Sequence, residues 1–256
     1  RKYFNNFDVV IGDEAHLFKA VSLTKIMTKL IDCKYRIGLT GTLDDSKTHK
    51  LVLQGLFGTV NRVVSTKQLI DKKQLAQLKV MCLNLKYPEV EAKKVYGVKY
   101  FEELEFLTQN TARNKYIRNL ALALKGNTLL LFQLVEKHGE ILFNLIKEKA
   151  DPKRKVFFVY GGTETDDREK IRAITEKSDN AIIVASFGTF STGINIRNLH
   201  NIVFSSPTKS PIRVLQSIGR GLRVGDKKDS ATVYDISDDL TSVSYTHLTL
   251  PTNDRV

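Results

Sequence analysis

The chain has 256 residues, enough for one large domain or two medium ones, each with its own core. Its 42% hydrophobic and 27% charged residues describe a soluble globular protein, and no stretch approaches the ~18 uninterrupted apolar residues that a membrane helix needs. The formal charge of +12 points to a polyanionic partner, nucleic acid first, although lysine-rich solubility gives the same balance.

In chain order, short apolar runs alternate with amphipathic stretches, the pattern of a parallel sheet covered by helices. The first strands are expected at 7–12 and 35–39, with helices near 20–31 and over 46–56, the latter ending toward Gly58. Residues 59–80 lose clean periodicity and carry Lys67, Lys72, Lys73 and Lys79, so the connection between two domains is placed there. We therefore expect domains at 1–75 and 76–240. In the second, Ile117, Leu120, Ala121 and Leu124 mark one buried helix face. A buried strand, Leu129-Leu130-Leu131-Phe132, and a helix over 135–149 follow. The next strand is 156–160, closed by Gly161-Gly162. A helix is expected from near Asp166, with Glu169 as the other half of a capping box. Further strands are expected at 181–185, 202–204 and 232–236, and a helix over 212–222. Cys33 and Cys82 form no CxxC and stand in apolar contexts, as buried, reduced thiols of an intracellular protein would.

Both ends look foreign to a complete gene product. The chain opens on Arg1 and runs almost at once into a strand, so we expect the natural start to lie upstream. Residues Val243 to Thr252 match a translated transposase-type sequencing adaptor, and 241–256 are set aside as a non-native tail.

The chemistry begins at Gly12-Asp13-Glu14-Ala15-His16, directly after the first strand. Two carboxylates at the C-terminal end of a strand suit a magnesium nucleotide, with Asp13 on Mg²⁺ through water and Glu14 on the attacking water. An ordinary strand end before an acidic helix start has the same appearance. Gly38-Leu39-Thr40-Gly41-Thr42 ends the next strand with small hydroxyl residues that allow close backbone approach, or simply a turn. Ala185 to Asn195 offers backbone N–H groups and hydroxyls at another strand end, as a phosphate-binding loop or a plain Gly/Ser loop would. In Gln216-Ser217-Ile218-Gly219-Arg220-Gly221-Leu222-Arg223, the two arginines stand an i, i+3 step apart, on one face if helical. That pair fits a γ-phosphate grip or a solvated basic face. Zinc-hydrolase chemistry is not indicated, because His16 has no partner at HExxH spacing and His49, His138 and His200 form no ligand pattern.

Taken together, DEAH, TGT, LLLF, SFGTFSTGIN and QxxGRxxR follow one another as motifs II to VI do in superfamily 2 helicases. Over residues 3–240 the chain resembles that family, and within it the phage UvsW-type helicases. The resemblance implies two RecA-like parallel-sheet domains of α/β class, the first incomplete, facing an ATP cleft. It implies that Asp13 and Glu14 are the Walker B pair, with Asp13 on Mg²⁺ and Glu14 catalytic. His16 would link the nucleotide site to the second domain, and Thr40, Gly41 and Thr42 would couple hydrolysis to strand movement. Gly193 and Asn195 would lie near the ribose and γ-phosphate, with Gln216, Arg220 and Arg223 reaching across and Arg223 the principal finger. Ser186, Thr192 and the Gly161-Gly162-Thr163 turn would touch the nucleic-acid backbone. Phe132 and Gln133 fall at the motif IV position, where packing or strand contact is implied.

Two departures stand out. Many relatives carry Asp where Asn195 stands, which weakens the ribose contact. None of the fifteen glycines is followed by lysine, so the chain holds no G-x-x-x-x-G-K-[ST] phosphate cradle. The whole protein is therefore expected to be an ATP- and Mg²⁺-dependent DNA helicase acting on single-stranded or branched DNA or DNA–RNA hybrids. It is expected in the cytoplasm, the host's if phage-encoded, while this piece alone turns ATP over negligibly. The alternatives are the motor of a restriction-type nuclease-translocase and a non-catalytic nucleic-acid-binding module.

Overall fold

A computed structural model describes residues 3–41, 43, 47–193, 196–208, 211–224 and 228–240. They form two compact units, Arg1–Ser65 and Thr66–Val256. The units part between Ser65 and Thr66, inside the lysine-rich 59–80 segment but before the boundary expected at 75, because Leu75 and Ala76 pair with Arg223 and Leu222 of the second unit; the tail at 241–256 lies outside the described residues.

In the first unit, the β-branched run Val9-Val10-Ile11 favours extended backbone. Strand β1 (Val9–Gly12) is followed by a 3-10 turn (Ala15–Lys19), helix α1 (Val21–Lys29), strand β2 (Tyr35–Gly38) and helix α2 (Lys47–Phe57). Gly58 then takes φ +91°, a left-handed value that stops the helix. The two strands pair in parallel, Val10 opposite Arg36. Met27, Leu30, Cys33 and Leu56 are buried under one face, against Val10, Phe18 and Phe57. On the other face, exposure runs from 45% at Ile37 to 63% at Tyr35, with Val9 and Ile11 between. Parallel sheets normally have both faces covered, so this unit is part of a sheet rather than a whole one.

The second unit starts with helix α3 (Thr66–Asp71), whose Leu69 carbonyl accepts from the Gln74 and Leu75 amides. Strand β3 (Gln77–Lys86) and helices α4 (Glu89–Lys94) and α5 (Tyr100–Gln109) come next, three elements that the sequence periodicity does not mark. Helix α6 (Thr111–Ala123) is capped by Asn110, whose side-chain oxygen accepts the Arg113 amide. Strand β4 (Thr128–Phe132), a π turn (Val135–Gly139), helix α7 (Glu140–Lys149) and strand β5 (Val156–Val159) fall where expected. Helix α8 (Thr165–Lys177) starts after Glu164 without any side-chain cap. The expected capping box is not made, because the helix starts before Asp166, which leaves both Asp166 and Glu169 inside it; Glu169 pairs with Arg172 at 2.7 Å. Strand β6 (Ile182–Ser186), helix α9 (Phe187–Gly193), strand β7 (Asn201–Phe204), helix α10 (Pro211–Gly221) and strand β8 (Ser230–Asp239) complete the unit.

All pairings in the six-stranded sheet are parallel, in the order β3-β8-β7-β4-β6-β5. From β4 the chain runs outward to β5, returns to β6 and crosses to β7. The switch of direction therefore lies at β4, where α/β sheets open a crevice at their C-terminal edge. Leu129, Leu131, Ile183, Ala185 and Ile202 face one buried layer, and Leu130, Ile182, Val184 and Val203 face the other. Strands buried on both faces read as continuous apolar runs, which is why β4 and β6 were visible in the sequence. Cys33 is buried as expected, but Cys82 is exposed. It lies on the edge strand β3, on the face where Leu78 and Val80 pack against the core but past the reach of that packing.

Candidate functional site

The acidic pair sits at the end of β1. Gly12 and Gly38 are opposite each other, and a Cβ on either would come 2.9 Å from a phenylalanine ring, Phe18 or Phe57 at the first and Phe57 at the second. Their missing side chains let these rings, edge to face at 5.0 Å, close over the strand ends. Asp13 and Glu14 are exposed beyond them. The Glu14 amide donates to Asp13 Oδ1 at 2.8 Å, and Glu14 itself takes φ 50°, ψ 49°. A left-handed glutamate is held against its preference, a kind of strain that clusters at functional sites. Two links hold it: the Ala15 amide donates to Leu39 O, and the Leu39 amide to Gly12 O, both at 2.8 Å.

His16 is buried in this turn. Its Nδ1 lies 3.0 Å from Thr40 Oγ1 and 3.3 Å from Glu14 Oε2. One imidazole thus joins the carboxylate after β1 to the hydroxyl after β2, two motifs that the sequence separates by 24 positions. Gly41 is open to solvent, and Thr42 lies outside the described residues. Among the described residues no three His, Cys, Asp or Glu side chains converge as a metal cage. A paired, exposed carboxylate at a strand end still fits Mg²⁺, which keeps several waters and takes most remaining ligands from phosphate oxygens.

In the second unit, Gln133, the Gly161-Gly162-Thr163 turn and Ser186 stand at the C-terminal ends of β4, β5 and β6. Ser186 ends β6, and its Oγ accepts the Thr189 amide at 3.3 Å and lies 2.8 Å from Thr189 Oγ1. It is the N-cap of α9, so the stretch expected as a loop is a helix through Gly193, anchored by the buried Phe187 and Phe190. Thr192 and Gly193 are in its last turn, and Asn195 lies outside the described residues. Beside β5, Thr163 Oγ1 accepts the Tyr160 amide, and Arg168 donates to Gly161 O at 3.0 Å, which fixes the exposed Gly161-Gly162-Thr163 turn. Tyr160 rests over Gly162, whose Cβ would fall 2.6 Å from its ring.

Phe132 is a core residue. It is fully buried, stacked on Phe158 at 5.5 Å, which takes it off any strand-contact surface. Its neighbour Gln133 is half-buried; its amide donates to Ser206 Oγ at 3.1 Å, while its own Oε1 is buried with no hydrogen-bond partner. Ser206 Oγ also lies 2.7 Å from His138 Nδ1, and His138 Nε2 lies 3.2 Å from Asn114 Oδ1. Burial, aided by the Arg113 charge, holds the His138 imidazole well below its ordinary value, so it is neutral. Arg113, wholly buried, donates twice to Asp238 (2.8 and 2.9 Å) and once to Ser205 O. Tyr87 adds a third bond to Asp238 at 2.6 Å. Sequence reading missed this network because none of its members forms a local pattern.

Gln216 is half-buried on α10, and Arg220 follows on the same helix, its side chain outside the described residues. Arg223 does not share their helix. Helix α10 ends at Gly221, and Arg223 is exposed beyond it, in an antiparallel bridge with Leu75. The pair therefore does not project from one helical face.

Residues 112–225 match the helicase conserved C-terminal domain. The ATP-dependent DNA helicase uvsW of Enterobacteria phage T4 is 37% identical over 241 residues, 93% of this chain and 47% of that protein. The chain thus spans about half the length of that relative. The crystal structure of T4 UvsW matches with a TM-score of 0.56 at 35% identity, covering 96% of this chain and 49% of that one. The Type ISP restriction-modification enzyme LlaBIII bound to DNA matches with a TM-score of 0.63 at 18% identity, covering 89% of this chain and 18% of that one; this likeness shows the fold alone. The chain thus carries a match to the helicase conserved C-terminal domain on its parallel sheet and is similar over nearly its whole length to an ATP-dependent DNA helicase.

Proposed function

We propose that the whole protein is an ATP-dependent DNA helicase that remodels branched DNA or DNA–RNA hybrids, and that this chain supplies its water-activating carboxylate and its arginine finger. The observation that carries the reading is His16, buried between Glu14 and Thr40. A side chain that only had to fill space there would not need to meet both a carboxylate and a hydroxyl. The uvsW relative, an ATP-dependent DNA helicase by name, supports the same reading. The phosphate cradle, missing from this sequence, is supplied by residues outside it.

In this reading Asp13 would hold Mg²⁺ through water, and the ion would supply charge neutralisation at the phosphate oxygens. Glu14 orients a water and takes its proton as the oxygen attacks the γ-phosphorus. The bond to the β–γ bridging oxygen breaks, ADP leaves with that electron pair, and Arg223 offsets the charge that gathers there, with Gln216 and Arg220 beside it. Gly193 and Asn195 adjoin the nucleotide, while Thr40, Gly41 and Thr42 pass the change on. Gln133, the Gly161-Gly162-Thr163 turn, Ser186 and Thr192 line the path of the strand backbone.

The test is turnover in the whole protein. Glu14→Gln should bind ATP and lose hydrolysis by about 10³-fold, and Arg223→Ala should fall by about 10³–10⁵-fold, both with single-stranded DNA affinity within a few-fold. Normal hydrolysis by Glu14→Gln would remove Glu14 as the base. Loss of DNA binding along with turnover in a folded Arg223→Ala protein would contradict the finger.

A further inference from the structure

Helix α10 ends under unusual constraint. The last carbonyls of a helix have no partner within it and ordinarily turn to water or to a capping group. Gly221 is buried, and a Cβ there would lie 2.3 Å from Ile202 Cδ1, so the helix end is pressed onto β7 where water cannot serve. The Gly221 carbonyl instead accepts a hydrogen bond from the Lys228 ammonium. Lys228 is itself buried, only 3% exposed. Burial brings its ammonium down to about 8, against the opposing pull of Glu176.

Burying a lysine is costly, and an apolar side chain of similar length would fill the same volume. What the lysine adds is a donor, and a positive charge at the negative end of a helix. A second clamp acts on the next two residues. The Ala76 amide donates to Leu222 O at 2.8 Å, and Leu75 bridges Arg223. Residues 221, 222 and 223 thus each have a fixed partner, two of them from the segment that leads into β3. The Arg223 side chain is exposed at the end of this held turn.

We propose that Lys228 is a positioning residue for Arg223, fixing through the Gly221 carbonyl the turn from which the arginine reaches its phosphate. This rests on the reading of Arg223 as the finger. The group it serves must be held to a fraction of an ångström, and a lapse of about 1 Å costs about 10²-fold in rate.

The experiment compares Lys228→Met, Lys228→Arg and Arg223→Ala in the whole protein, by ATP turnover, KM for ATP, single-stranded DNA affinity and melting. Lys228→Met should lower kcat by about 10- to 100-fold with KM and DNA affinity within about twofold, and Lys228→Arg, which still donates, should restore most of the rate. If Lys228→Met does not fold, Lys228→Leu, which likewise lacks a donor, is read in its place. An unchanged kcat, an equal loss in KM and DNA affinity, or no rescue by arginine would overturn the assignment. Those outcomes count against Lys228 alone if Arg223→Ala abolishes turnover; normal turnover by Arg223→Ala would instead remove the finger on which the proposal rests.

Discussion

Asp235 shows what a single buried carboxyl costs the second unit. Burial, and behind it the charge of Asp238, raises it from 3.8 to about 6. The folded chain therefore holds a proton there that the unfolded chain has lost, between about pH 4 and 6. A raised folded value gives stability that is complete below the unfolded value and disappears as pH climbs through the folded one. Around pH 7.5 the carboxylate is ionised in both states and the folded state bears its desolvation. Asp235→Asn should thus stabilise the protein by about 1–3 kcal/mol at pH 7.5 and by little near pH 4. Denaturant unfolding of both proteins at the two pH values measures this; His138, which acts in the opposite sense as it is protonated on acidification, cancels in the difference. An equal gain at both pH values would show that charge is not the cause. At this scale, the sequence shows residues whose chemistry is tied to local order. Asp13, Glu14, His16 and Thr40 announce themselves because their neighbours form motifs. Lys228 does not: it is one of 40 lysines and arginines, and only the fold brings it to Gly221.

Elements were legible where burial is two-sided and hidden where it is not. Strand β4, with every residue buried, reads as an apolar block. Strand β3 alternates half-buried and exposed positions at the sheet edge, and its lysines make it look like a continuation of the connector. Helix α9 was hidden for another reason: Gly188, Thr189, Ser191 and Thr192 are poor helix formers, and the buried Phe187 and Phe190 override them through tertiary packing. The π turn before α7 depends on a similar fit. A Cβ on Gly139 would stand 2.5 Å from Phe132 Cε2 and Cζ. That ring is sealed in the core against Phe158 and has nowhere to go. Gly139→Ala should cost about 1–3 kcal/mol of unfolding free energy, the usual penalty of overpacking. Adding Phe132→Leu should recover part of that loss, because the two residues touch and their effects are not additive. A Gly139→Ala protein as stable as the parent would mean that the turn relaxes away from the ring.

For the molecule as a whole, the contrast between its two sheets decides which parts hold together longest. In the second unit, β4 and β7 are buried at every position and β6 at all but its last. Their amides can exchange with solvent only when the unit opens as a whole, at close to its full unfolding free energy. In the first unit, β1 and β2 form a pair with one covered face, and only Gly12 of their residues is buried. Such a pair lacks the third strand and second layer that independent stability requires. The same incompleteness accounts for a motif set that reads clearly although no phosphate cradle accompanies it: strand ends carry the chemistry and need few residues, while a finished sheet needs many. Hydrogen exchange on this chain should find amides of Leu129–Leu131 and Ile182–Val184 protected at least ~100-fold more than those of Val10, Ile11 and Ile37. Added ATP and Mg²⁺ should leave that difference nearly unchanged, since a ligand stabilises only what it binds and the cradle is absent from this sequence. Equal protection in the two sheets would show that the first unit is stable alone, and selective protection of Val10 and Ile11 by ATP would show that Asp13 and Glu14 bind the nucleotide without a cradle.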